Sequence, residues 1–242
     1  MTNWLKPNNS FSLELIIIMF LMTLSYESDL CKTVPNIQLS KQKWSFPTQN
    51  IEQFKVAKTL IAKGDVANLT KFLDESWTEQ FKSDWGETLM RIAAQSGNLS
   101  MVTEFIDRGV DVNEKSKNTG SNAFMYACES GQLEIVKFLI KKGARVNDAS
   151  RSGSTPIIWG YNHLAIVQLL ILNGADINVK NLDGNTALFE AVWHRNHEVV
   201  EFLLNQKVDL TIKDGQERTI LDVSRITGDK KMIRLLQRAM RK

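Results

Sequence analysis

Seventeen residues, GQLEIVKFLIKKGARVN from Gly131 to Asn147, return upstream as GNLSMVTEFIDRGVDVN (Gly97 to Asn113) and downstream as NHLAIVQLLILNGADIN (Asn162 to Asn178). Weaker copies begin at Gly64, Arg195 and Gly228. The equivalent apolar residues Leu69, Val102, Val136, Val167, Val200 and Ile233 are 33, 34, 31, 33 and 33 positions apart. A period near 33 constrains the fold more than composition does. Each unit is too small to bury its own apolar face, so units must stack in line and complete one another's core. The chain has the material for this: 242 residues, 43% apolar, a balance unlike a disordered tail or a collagen.

A second block precedes the first in each unit: GETLMRIAAQSG, GSNAFMYACESG, GSTPIIWGYNH and GNTALFEAVWHRNH, from Gly86, Gly120, Gly153 and Gly184. Thr88, Thr155, Thr186 and Thr219 stand where a hydroxyl can accept from the free N–H groups that open a helix. Pro156 suits a first helical turn, where its missing N–H costs nothing. Ala93, Ala94, Ala127 and Ala191 let neighbouring helices approach. In the seventeen-residue block Val136, Phe138, Leu139 and Ile140 supply an apolar face, and Gly109, Gly143 and Gly174 stop the helix as left-handed caps. Phe105, Phe124, Phe138 and Phe202 are assigned to the core.

Together the two blocks resemble the ankyrin repeat. The first resembles its T-P-L-H-x-A-A signature, and the second its second helix with the G-A-D-x-N exit. About five and a half units cover residues 51–242. The resemblance implies an all-α solenoid of stacked helix-turn-helix units joined by hairpin fingers, with degenerate capping repeats at both ends. Glu52, Lys55 and Lys58 would give the first cap its polar outer face. The last unit is basic through Lys230, Lys231, Arg234, Arg238, Arg241 and Lys242. It reads either as a solvated cap whose late cations complement the helix dipole or as a contact for an anion or membrane. Two departures from the period are local. One residue is added between Asn113 and Asn122, which predicts a longer finger. Two are missing between Thr155 and Asn162, which predicts a tighter turn, and Gly160 replaces the first signature alanine there, at about 1 kcal/mol in helix propensity.

Residues 1–50 lie outside the repeat. The run LIIIMFLMTL, Leu15 to Leu24, is shorter than the roughly 20 residues of a spanning helix but fits a signal-peptide core of about 7 to 15. Thr23 and Ser25 are small enough for a cleavage site after Ser25. Residues 1–25 are therefore expected to direct export, leaving no transmembrane span in the mature chain. The alternative is an extra apolar helix packed on the first repeat. Residues 26–50, with Pro35 and Pro47, read as a linker or extension. Leu30 is too large for the position before a lipid-modified Cys31.

Little chemistry is assembled in the sequence. A net charge of +3 from 30 basic and 27 acidic residues, spread along the chain, points to no dedicated nucleic-acid surface. With only Cys31 and Cys128, the latter in a place buried in the family, no disulfide framework is indicated. No phosphate-binding loop, nucleophile elbow or metalloprotease helix occurs. His194 and His197 could share a metal, yet zinc wants three or four ligands, so they read as surface-turn residues. No cofactor, metal or enzymatic activity is expected.

Protein binding is the expected function. Ankyrin partners usually contact the finger tips and the turn before the second helix. Carried onto this chain, these are Trp85, Glu87, Asn118, Ser121, Arg151, Ser154, Leu182 and Asn185 at the fingers, with Gln95, Ser96, Glu129, Ser130, Trp193 and His194 at the turns. Trp85 is the first choice of anchor, since Trp, Tyr and Arg dominate interface energetics, unless it folds back onto the first repeat. Tyr126 and Trp159, at equivalent inner-helix places, form either an aromatic ladder or filler between repeats. Two roles follow: an exported inhibitor or adaptor occupying one partner, as bacterial immunity-like ankyrin proteins occupy toxic effectors, or a cytoplasmic scaffold with a structural apolar N-terminus.

Overall fold

The computed structural model describes residues 48–206 and 208–241. The apolar run Leu15 to Leu24, the expected cleavage position after Ser25, nearly all of the extension, and Cys31 lie outside those residues. The described chain is helical, with one isolated antiparallel bridge, Lys213 to Thr219, beside the last helix pair. The first pair is α1 (Thr48–Lys63) and α2 (Val66–Ser76). A short helix α3 (Glu79–Phe81) runs into one π-helical turn, Lys82–Gly86. Four further pairs follow: α4 (Glu87–Gln95) with α5 (Leu99–Asp107), α6 (Ala123–Glu129) with α7 (Leu133–Lys141), α8 (Pro156–Trp159) with α9 (Leu164–Leu172), and α10 (Ala187–Trp193) with α11 (His197–Leu204). The last is α12 (Ile220–Thr227) with α13 (Lys230–Ala239).

The first helix of each pair packs on the first helix of the next, and the second helices on one another, so two ranks run the length of the stack. The repeating residue of the sequence is the centre of the core. Leu69, Val102, Val136, Val167 and Val200 are fully buried, whereas Ile233 is half-buried. Ala93, Ala94, Ala127, Cys128 and Ala191 are fully buried in the first rank, as small residues at close helix contacts should be. Burial also pushes the Cys128 thiol far above its ordinary pKa, so it is inert.

Neighbouring units are tied by two sets of hydrogen bonds besides this packing. At the fingers Arg151 N–H donates to Thr119 O at 2.8 Å, Leu182 N–H to Ser152 O at 2.8 Å, and Gly215 N–H to Asp183 O at 2.7 Å. The fingers lie so close that a Cβ on Gly184, itself at φ +77°, would meet the backbone N of Gly215 at 2.5 Å. At the exits the repeated asparagine bridges to the next unit. Asn147 Nδ2 donates to Gly174 O at 2.8 Å while its Oδ1 accepts from Asp176 N–H at 2.9 Å. Asn113 makes the same pair to Gly143 and Arg145, and Asn178 accepts from Asp209 N–H.

Both irregularities of spacing have structural counterparts. The finger of the longer unit closes from Ser116 N–H to Ser121 O, five residues on, whereas the next two close over four, Ser150 to Ser154 and Asn181 to Asn185. In the shortened unit α8 keeps only four residues. Gly160 is its C-terminal cap at φ −81° and lies outside the helix, so the propensity cost expected for a helical glycine does not arise. The capping expectation holds in part: Thr186 and Thr219 cap their helices, Thr219 in a reciprocal box with Asp222. Asn122 performs this for α6. Thr155 stands at its N-cap without a side-chain bond, and Thr88 lies inside α4.

Candidate protein-binding face

The first rank of helices and the fingers present one continuous face. Six positions after Gly86, Gly120, Gly153 and Gly184 stands a residue of the first helix, giving the row Ile92, Tyr126, Trp159 and Glu190. Tyr126 and Trp159 meet with ring centroids 5.2 Å apart at 58°, and the guanidinium of Arg91 lies 4.7 Å from the Tyr126 centroid. The ladder and the filler coincide here: both rings pack between repeats and both stay partly exposed. The fourth place of this row is a carboxylate, a change of polarity in the middle of the face.

Most of the residues chosen from the sequence reach solvent. Asn118, Arg151, Leu182, Gln95, Ser96, Glu129, Trp193 and His194 are exposed, and Ser130, Ser154 and Asn185 are half-buried. Leu182 at a finger tip is 79% exposed and Trp193, closing α10, is 46% exposed with the Arg218 guanidinium 5.7 Å from its ring. Ser121 is a correction. It is fully buried beneath the first finger, its hydroxyl bonded to that of Thr119.

Trp85 is the larger correction: the segment between α2 and α4 forms no finger. Trp77, Phe81 and Trp85 recur every fourth residue, a helical spacing that puts them on one face, and the segment winds into α3 and the π turn. Trp85 stacks on Phe54 of α1 at 4.3 Å and 24°. Phe81 is fully buried, and Trp77 packs against both Phe81 and Phe105 while donating its indole N–H to Arg108 O at 3.2 Å. Glu87 follows at the start of α4. Burial pushes its carboxyl above the ordinary range, with Arg91 and the Thr88 hydroxyl pulling the other way, and its Oε1 has no hydrogen-bond partner.

The histidines are directed to different tasks. His194 Nδ1 lies 3.0 Å from Glu190 O and its ring sits 4.6 Å from that of Tyr161. His197 Nε2 pairs with Asp229 Oδ2 of the next unit at 2.7 Å. Among the described residues no group of three metal-ligating side chains comes together. His163 Nε2 reaches Glu129 O at 3.0 Å and is a link between repeats.

Where α8 stops short, the face has a notch of about 290 Å³. Its walls are Glu129 from the end of α6, Ile158 and Trp159 of α8, Tyr161 and Asn162 of the shortened turn, Glu190 of α10, and Ser154 and Asn181 from the fingers. Burial and then the two carboxylates, Glu190 and Glu129, raise the Tyr161 phenol above its ordinary pKa, so three units bear on one spot. Glu190 accepts from Asn185 Nδ2 at 2.9 Å, and Trp159 Nε1 is buried without an acceptor. Tyr161, Asn162, Asn181 and Glu190 were missed at the level of sequence. The signals present were the two missing residues and a glutamate in an otherwise apolar row.

Among curated proteins no sequence matches the chain. The family model described as ankyrin repeats (3 copies) matches residues 49–150 and again 154–241. With the paired helices, the linked fingers and the repeated exit asparagine, that match shows that the chain belongs to the ankyrin-repeat family, whose repeats are protein–protein interaction modules.

Proposed function

We propose that the chain is a non-catalytic module that occupies a single partner protein through its first-rank helices and fingers, and that it does so after export, as an inhibitor or adaptor. The observation that carries the binding reading is the pair of large side chains left in solvent on that face, Leu182 and Trp193. Exposed apolar anchors rimmed by polar residues are what interfaces use. Leu172, exposed at the end of second-rank α9, supplies the control. The binding test is co-purification from the native host after crosslinking. Leu182→Ala with Trp193→Ala should lose the partner at unchanged thermal midpoint, by thirtyfold or more for a central anchor, about 2 kcal/mol. Leu172→Ala should keep it. Recovery that ignores the first pair would remove the binding reading.

Export is supported by the run Leu15 to Leu24 and by Thr23 and Ser25. Residues 1–40 fused to a reporter active only after translocation should give signal, and Ile18→Arg should abolish it. A signal indifferent to that arginine would return the chain to the scaffold reading.

A further inference from the structure

The notch beside α8 arises from the two residues missing between Thr155 and Asn162. The first helix ends after four residues where its neighbours run seven, and the turn they would have filled is open. The space is at the low end of small-molecule sites, roughly 300–1,000 Å³, and it opens onto the binding face, so it suits one inserted side chain better than a whole metabolite.

The walls say which side chain. Two aromatic rings, Trp159 and Tyr161, and two carboxylates, Glu129 and Glu190, line the same hollow. Among the described residues no lysine or arginine lies within ion-pair distance of either carboxylate. Among the described residues Glu129 makes no ion pair, and the side chain of Glu190 meets the Asn185 amide at 2.9 Å and His194 at 3.9 Å. Elsewhere on this chain a carboxylate close to a neighbouring repeat has found its cation, as Asp74 has with Arg108 and Asp148 with Lys115. Negative charge and ring faces left together without a cation are complementary to a planar guanidinium. It can stack on the rings while its fan of N–H donors meets the carboxylates and the amide oxygen of Asn162, which among the described residues accepts only from Asn196 Nδ2.

We propose that the notch is a receptor for one arginine side chain of the partner protein, seated between Trp159 and Tyr161 and held by Glu129 and Glu190. This rests on the binding-module reading and adds the chemistry of its central contact. An arginine covered at the centre of an interface is a typical anchor. The indole N–H of Trp159 has no acceptor in the free chain.

The test uses the full chain with ¹⁵N label and the probe peptide acetyl-Gly-Gly-Arg-Gly-Gly-amide, with its citrulline and lysine counterparts. The arginine peptide, added at millimolar concentration, should move the Trp159 indole and the Gly160, Tyr161 and Asn162 amide resonances together. The citrulline peptide, equal in shape and without charge, should move none of them, and the lysine peptide should bind several-fold more weakly. Glu129→Gln with Glu190→Gln should abolish the shifts at unchanged thermal midpoint and weaken capture of the native partner by about tenfold or more. Two alanines inserted after Trp159, restoring the missing turn, should close the notch and give the same loss. Glu129 is exposed at a helix end, so Glu129→Gln alone keeps the test valid if the insertion does not fold. Equal response to citrulline or lysine, shifts scattered over the acidic surface, or full binding by the double glutamine variant would each overturn the assignment. Movement of the same resonances on concentrating the chain alone would place the basic helix α13 of a second copy in the notch, and overturn it too. Capture that is lost in the Leu182 and Trp193 variant while the peptides fail leaves the module reading standing without this contact.

Discussion

Glu87 shows how one residue can oppose the stack it belongs to. Its Oε1 is buried without a hydrogen bond, Arg91 Nε is 3.9 Å away, and burial raises its carboxyl pKa. A carboxylate whose pKa is raised on folding is less stable folded than unfolded when charged, and the penalty is full above the folded pKa and absent below the unfolded one. Glu87→Gln should therefore raise the thermal midpoint at pH 7, and the gain should fade as pH falls through the raised pKa towards about 4. Melting curves for both proteins between pH 4 and 8 check this. A gain of the same size at every pH would mean that the substituted glutamine acts through packing instead of charge.

At the scale of the element, the helices begin where side-chain acceptors stand: Asp65, Asn98, Asn196 and Asp229 cap second-rank helices, each accepting from a backbone N–H two or three residues on. They end where the chain can turn left-handed, at Gly109 with φ +87°, Gly143 with φ +92° and Gly174 with φ +84°. The glycine stops were legible in advance because each follows an apolar run, whereas the acidic and amide caps of the second rank were not read from the sequence. Nor was the segment from Trp77 to Gly86. The spacing of Gly86 from the finger glycines suggested a hairpin, but three aromatic residues at helical intervals found apolar surface on α1 and α5 and drew the segment into helix. Burial of Phe81, Trp77 and Trp85 outweighed the repeat register, and the first exposed finger is consequently the one that follows α5.

Across the whole molecule each unit is held by its neighbours, so the same truncation should differ with position. Leu139 in α7 and Leu236 in α13 are both fully buried. Leu139 has units on both sides, and Leu236 belongs to the last. Leu139→Ala should cost about 2 to 5 kcal/mol and destabilise the array as a unit. Leu236→Ala should loosen the end pair first, seen as lost amide-exchange protection in α12 and α13 with the centre still protected. Identical melts and identical exchange patterns for the two variants would contradict nearest-neighbour stacking. By itself the sequence determined the period, the helix pairs, the glycine stops, the central core line and the longer and shorter units, because these follow from spacing within one turn or one repeat. Only the tertiary structure decided that Trp85 lies on Phe54, that Ser121 is covered, and that Glu129, Trp159, Tyr161 and Glu190 converge on one notch. Those outcomes depend on side chains from different units meeting across about thirty residues of sequence or more, and no local pattern encodes which of them will be left facing water.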